Sequence, residues 1–181
     1  MKKQILFFQG RGDGGYEADK ALVNSLQENL GNEYNINYPE IKPNESKSDF
    51  GWTQQIDKEI FKTKGDIIIV AHSFGASMIL KYFSENPANK KIEGVFLVST
   101  PFWSGSEDWK IGLKLKENFA EKLPNEVSIF FYHCEDDEEM PFSHLNEYKQ
   151  NVTQATFRKI KSGGHQLDND LTLVASDIKL L

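Results

Sequence analysis

The sequence predicts an α/β fold: about six mainly parallel strands with helices on both faces of the sheet. Three observations carry this. Ile67-Ile68-Ile69-Val70 is an unbroken β-branched run without polar alternation, as expected of a strand covered on both faces. Immediately after it, Ala76, Ile79, Leu80 and Phe83 fall at i, i+3, i+4 and i+7, so the chain changes from strand to helix within a few residues. Strand-like and helix-like patterns then alternate along the whole chain, which requires crossover connections and a parallel sheet.

Taken in order, apolar or β-rich runs place strands near residues 3–9, 34–38, 66–71, 93–99, 127–133 and 155–160. A helix is expected over 17–30, where Ala18, Leu22, Leu26 and Leu30 recur every four residues and Gly31 supplies a stop. Trp52, Ile56 and Ile60 repeat the spacing in a second helix, and Leu171, Val174, Ala175 and Ile178 form the apolar face of a last one. The segment 39–50 is polar and contains Pro43, so it reads as a surface connection within one domain spanning 1–181.

Ser73 sits where strand becomes helix, in Val70-Ala71-His72-Ser73-Phe74-Gly75. A nucleophile elbow needs small residues two positions either side of the serine, and Ala71 and Gly75 meet that need. An N-cap serine opening an ordinary helix is the competing reading of the same residues. A serine hydroxyl becomes a nucleophile only beside a base that is itself oriented by a carboxylate. Both follow in the chain: the strand run Val127–Tyr132 ends in the acidic stretch 135–139, and Phe157–Ile160 leads to Ser162-Gly163-Gly164-His165. The glycines give the backbone freedom to turn the imidazole of His165 over the strand ends. The N–H of Phe74, at the positive end of the helix, is a candidate donor to an oxyanion.

The turn after the first strand supports a different class. Gly10, Gly12 and Gly15 satisfy G-x-G-x-x-G between a strand and a helix, with Glu40 as the acid expected of a dinucleotide site, but this leaves the order of Ser73, a carboxylate in 135–139 and His165 unexplained.

Composition narrows the field. The chain has 181 residues, is 39% hydrophobic and has no segment of 18 apolar residues, which implies no membrane span. The start, Met1-Lys2-Lys3, is followed by only four apolar residues before Gln9, so a cytoplasmic protein is expected. The single cysteine, Cys134, fits a reducing compartment and reads as a small buried hydrophobe. A net charge of −6 argues against a nucleic-acid surface, and no cysteine or histidine spacing suggests zinc.

With these motifs placed, the whole chain resembles the minimal α/β-hydrolases, and is similar to the small single-domain serine hydrolases of the retinoblastoma-binding-protein and YdeN-like type. The specific parts are Ala71-His72-Ser73-Phe74-Gly75, Asp137-x-x-Met140-Pro141 and Gly164-His165. The resemblance implies Asp137 as the triad acid, with Asp136 the alternative in a run of five carboxylates. It implies that Gln9-Gly10-Arg11-Gly12 replaces a His-Gly-x-Gly turn, with Arg11 N–H as second oxyanion donor. It also implies hydrolysis of carboxylic esters, thioesters or amides of small molecules through an acyl-enzyme, without metal or organic cofactor. A non-catalytic protein-binding module on the same fold is the alternative, so a protein partner stays open. The stretch from Ser99 to about Lys110 is too short for a helical cap, so an open site is expected, with Phe102, Trp103 and Met140, and beside them Trp109 and Phe142, as candidates to line an acyl pocket. Arg11 is free to pair with an anionic substrate or with Asp13.

Overall fold

The computed structural model describes residues 2–12, 14–86, 91–124 and 127–181. Six strands, β1 (Lys3–Phe8), β2 (Tyr34–Asn37), β3 (Ile67–His72), β4 (Ile92–Val98), β5 (Ser128–Cys134) and β6 (Thr156–Ile160), form one parallel sheet in the order β2-β1-β3-β4-β5-β6. Each lies within about two residues of its expected position.

Alternation along the strands builds two cores. In β3, Ile67, Ile69 and Ala71 face one layer with Leu6 and Phe8 of β1, while Ile68 and Val70 face the other with Ile5 and Phe7. The first layer is closed by α3 (Trp52–Lys62), α4 (Ser73–Glu85) and α6 (Ser143–Asn151), through Trp52, Ile56, Ile60, Met78, Ile79, Leu145 and Tyr148. The second is closed by α2 (Lys20–Leu30) and α7 (Thr172–Ile178), through Leu22, Leu26, Leu30, Val174, Ala175 and Ile178. Such doubly covered strands explain the β-branched runs.

Two helices depart from the sequence expectation. The helix expected over 17–30 is divided: α1 (Gly15–Ala18) and α2 are separated by Asp19, whose buried carboxylate accepts a 2.7 Å hydrogen bond from the Gly10 N–H. The helix α4, expected to bury one face, buries ten of its residues, because α3 and the short α5 (Phe119–Lys122) flank it over the sheet. The dinucleotide reading fails on topology. After β1 the chain visits only β2 on one side and then crosses to β3 on the other, whereas a dinucleotide fold carries two strands beyond the first on that side. Glu40 is instead an exposed partner of Lys42 at 3.5 Å.

Gly75 sets how closely α4 approaches β1. A Cβ there would strike the Gln9 carbonyl oxygen, which is main chain and cannot swing away. Gly75→Ala is expected to lower unfolding free energy by about 1–3 kcal/mol or more, read from urea denaturation, since overpacking a closed contact forces backbone shifts. A change below about 0.5 kcal/mol would contradict this packing.

Candidate active site

β3 delivers Ser73 to the carboxyl edge of the sheet. Its backbone turns at φ 50°, the left-handed region that costs a non-glycine residue about 1–3 kcal/mol. The surrounding packing holds the turn. Phe74 is wedged among Trp52, Trp103 and Phe50, with ring centroids 5.0, 5.9 and 6.1 Å away, so the first turn of α4 is fixed by its second residue. N–H groups in that first turn have no partner within their own helix and point toward the cleft end.

Two loops from distant parts of the chain meet Ser73. His165, after β6, places Nε2 2.9 Å from Ser73 Oγ. Asp137, in the turn after β5, brackets His165 Nδ1 with its two oxygens at 3.1 and 3.0 Å. A carboxylate at Nδ1 keeps the ring proton there and leaves Nε2 free to accept from the serine hydroxyl. Burial alone would raise the Asp137 carboxyl. The hydrogen bond from His165, with those from the Met140 and Glu139 N–H groups at 2.8 and 3.0 Å, outweighs burial and holds it below the ordinary carboxylate range.

Asp136, the other candidate in the acidic run, is engaged elsewhere than at the imidazole. Its carboxylate accepts from the Gly163 and Gly164 N–H groups at 3.2 and 3.0 Å, tying the loop that carries His165 to the loop that carries Asp137. Both glycines have positive φ, 139° and 61°, which is what the Gly-Gly pair contributes.

Ser73 and His165 open onto a cleft of about 280 Å³ lined also by Gly10, Arg11, Gly15 and Glu139. Arg11 is in the cleft wall; its guanidinium lies 3.7 Å over the Phe50 ring and 3.1 Å from Glu45, while Asp13 lies outside the described residues. Gln9 braces that turn: its buried amide donates to the Ile41 carbonyl at 3.2 Å and accepts from the Ile41 N–H at 3.1 Å.

Phe102 and Trp103 line a separate cavity of about 270 Å³ with Leu115 and Phe119; Ser73 is not in its lining. Trp103 Nε1 donates to Ser77 Oγ at 3.0 Å, and Trp109 stands edge-on to Trp103, half exposed. Met140 contributes main chain: its N–H binds Asp137, and its carbonyl accepts from His133 Nε2 at 2.8 Å. Phe142 stands edge-on to His133. Cys134 is buried, and burial pushes its thiol up to about 12, so it stays a neutral packing group.

Sequence reasoning passed over His133, Asp19, Gln166 and Ser99, and treated His72 only as part of the elbow. His133, buried and held below the ordinary imidazole range by burial, stays neutral and supports the acid turn, with Nε2 3.3 Å from Asp137 Oδ2. Its only signal in the sequence is its position four residues before Asp137. Among the described residues no helix is long and apolar enough to cross a membrane, and no group of three potential metal ligands gathers.

A family model for serine hydrolases matches residues 22–172. None of the curated proteins matches the chain. Among solved structures, a thioesterase domain from the curacin biosynthetic pathway is 16% identical with a TM-score of 0.72, covering 99% of this chain and 91% of that one. Est1E from Butyrivibrio proteoclasticus is 14% identical (TM-score 0.72; 99% and 86% covered). The esterase EaEST from Exiguobacterium antarcticum is 12% identical (TM-score 0.70; 98% and 91% covered). At these identities the likeness is one of fold, and the fold is that of the α/β-hydrolases, with no cap domain over the strand ends among the described residues.

Because the Asp137 carboxyl is depressed in the folded chain, its contribution to stability is present above the unfolded value of about 3.9 and is lost as pH falls through the lower folded value. The difference in unfolding free energy between wild type and Asp137→Asn is therefore expected to shrink from pH 5 to pH 3 in urea titrations. A difference that grows toward acid would contradict the ionised pairing.

Proposed function

The chain belongs to the serine hydrolase family, and from that premise we propose that it cleaves carboxylic esters, thioesters or amides of small molecules through an acyl-enzyme on Ser73. The observation that carries this reading is the 2.9 Å contact from Ser73 Oγ to a His165 whose other nitrogen is held by Asp137. His165 takes the serine proton as Oγ attacks the carbonyl carbon and then gives it to the leaving group, while water reverses the sequence to free the acid. Asp137 keeps the proton of the neutral ring on Nδ1 and balances the imidazolium that forms. The Phe74 N–H and, across the cleft, the Arg11 N–H stabilise the charge that develops on the carbonyl oxygen.

The acyl group is small in this reading. The cleft at Ser73 is about 280 Å³, its walls are largely polar and glycine-rich, and the aromatic cavity at Phe102 and Trp103 is separate from it. A further buried CH₂ is worth about 0.8 kcal/mol only where protein covers it. The thioesterase and esterase among the fold neighbours leave the leaving group open, and esters are the class with which to test it.

In a series of p-nitrophenyl esters, kcat/KM is expected to peak at about two to four acyl carbons and to vanish in Ser73→Ala; a steady rise to long chains below their micelle-forming concentrations would contradict the open, short site. Asp137→Asn is expected to lower kcat/KM by at least about 100-fold, because the wrong tautomer is favoured. Asp136→Asn retains an acceptor for the glycine N–H groups and is expected to cost only several-fold, so the reverse ranking would reassign the acid.

A further inference from the structure

Beside Ser73, at the floor of the same cleft, lies a second and nearly inaccessible histidine–carboxylate pair that the reaction does not use. His72 is 1% exposed and Asp19 is 1% exposed. His72 Nδ1 is 3.0 Å from the Asp19 carboxylate, and its Nε2 is 3.0 Å from the carbonyl oxygen of His165. A carbonyl can only accept, so Nε2 carries a proton. Asp19 accepts as well from the Gly10 N–H at 2.7 Å and from Gln166 Nε2 at 3.2 Å, the pattern of an ionised carboxylate, so Nδ1 also carries a proton.

We propose that His72 and Asp19 form a buried imidazolium–carboxylate pair that positions the backbone of His165 and the turn at Gly10 against Ser73. This rests on Ser73 and His165 being nucleophile and base. Three segments converge on the pair: the turn after β1 through Gly10, the end of β3 through His72, and the loop after β6 through His165 and Gln166. The His165 carbonyl is held by a second donor, Ser99 Oγ, at 2.9 Å. His72 and Asp19 are thus positioning residues, acting through the main chain on either side of the cleft.

The titratable groups that face His72 are Asp19, Asp137 in the turn after β5, and His165, whose ring centroid is 4.8 Å away. Burial disfavours the imidazolium, but Asp19 outweighs it and holds His72 above the ordinary imidazole range, while the same pairing holds Asp19 below the carboxylate range. The sign follows. The pair is intact at neutral pH and loses its charge as pH rises through the raised His72 value, when Asp19 keeps the proton on Nδ1 and a bare Nε2 faces the His165 carbonyl.

The test uses the full chain labelled with ¹⁵N-histidine. Two-bond ¹H–¹⁵N spectra at pH 7.5 should show both His72 nitrogens protonated, with the signals identified by their loss in His72→Gln. Asp19→Asn, whose amide can donate to Nδ1, should convert the ring to a neutral form with Nδ1 bare. Wild-type kcat/KM for an acetate ester should decline at the alkaline pH where His72 titrates. That decline should disappear in Asp19→Asn, while Asp19→Ala, which cannot bridge Gly10 and His72, should lower kcat about tenfold or more. A His72 with one bare nitrogen at pH 7.5, or an activity profile that ignores its titration, overturns the proposal. The spectra need no turnover: an imidazolium at His72 in a chain that hydrolyses no ester would leave the pair standing and remove the roles of Ser73 and His165.

Discussion

Ser73 keeps a left-handed backbone, φ 50°, because helix α4 begins without a loop at the end of a strand buried on both faces. Everything at the cleft depends on that turn. It requires Gly75 where the helix passes the Gln9 carbonyl, it brings the serine hydroxyl to His165 at the sheet edge, and it leaves the first N–H groups of α4 without partners in their own helix. The strain is sustained by apolar burial on both sides: Phe74 among aromatics in one layer, Ile68 and Val70 in the other. A less complete core would let the turn relax and would lose the geometry with it.

The polar groups around Ser73 are organised as two histidine–carboxylate pairs at different depths. The outer pair, His165 and Asp137, meets Ser73 at the cleft; the inner pair, His72 and Asp19, is almost fully buried at the cleft floor and bonds to the main chain of the outer one. Buried charges are costly unless each finds several partners, and here, besides a histidine, Asp137 collects the Glu139 and Met140 N–H groups and Asp19 the Gly10 N–H and the Gln166 amide. Asp136, Ser99 and His133 extend the same principle outward, holding the two loops that must meet.

Much of this was legible in the sequence. Apolar and β-rich runs located all six strands, and the small residues around Ser73 located the turn, because both features arise from local sterics and from burial that leaves a trace in the sequence. The spacing Asp137-x-x-Met140-Pro141 marked a residue that faces His165, and Met140 meets Asp137 and His133 through its main chain. The inner pair left no such trace. Asp19 sits within an i, i+4 helical pattern that gives no hint of a break, and it is 53 residues from His72, so only the approach of β1 to β3 brings them together. Phe102 and Trp103 were placed near the strand ends by position alone; which cavity they line depends on the path of the 99–118 segment, which has little periodicity to read.

The central claim is that the packing and hydrogen bonds around Ser73 make its hydroxyl an activated nucleophile. Treatment of the folded protein with a fluorophosphonate, followed by peptide mapping, tests this most directly. A single adduct on Ser73, absent in Ser73→Ala and formed far more slowly in His165→Asn, is the result expected from the geometry. A folded chain that takes no label, or takes it on another residue, would contradict it.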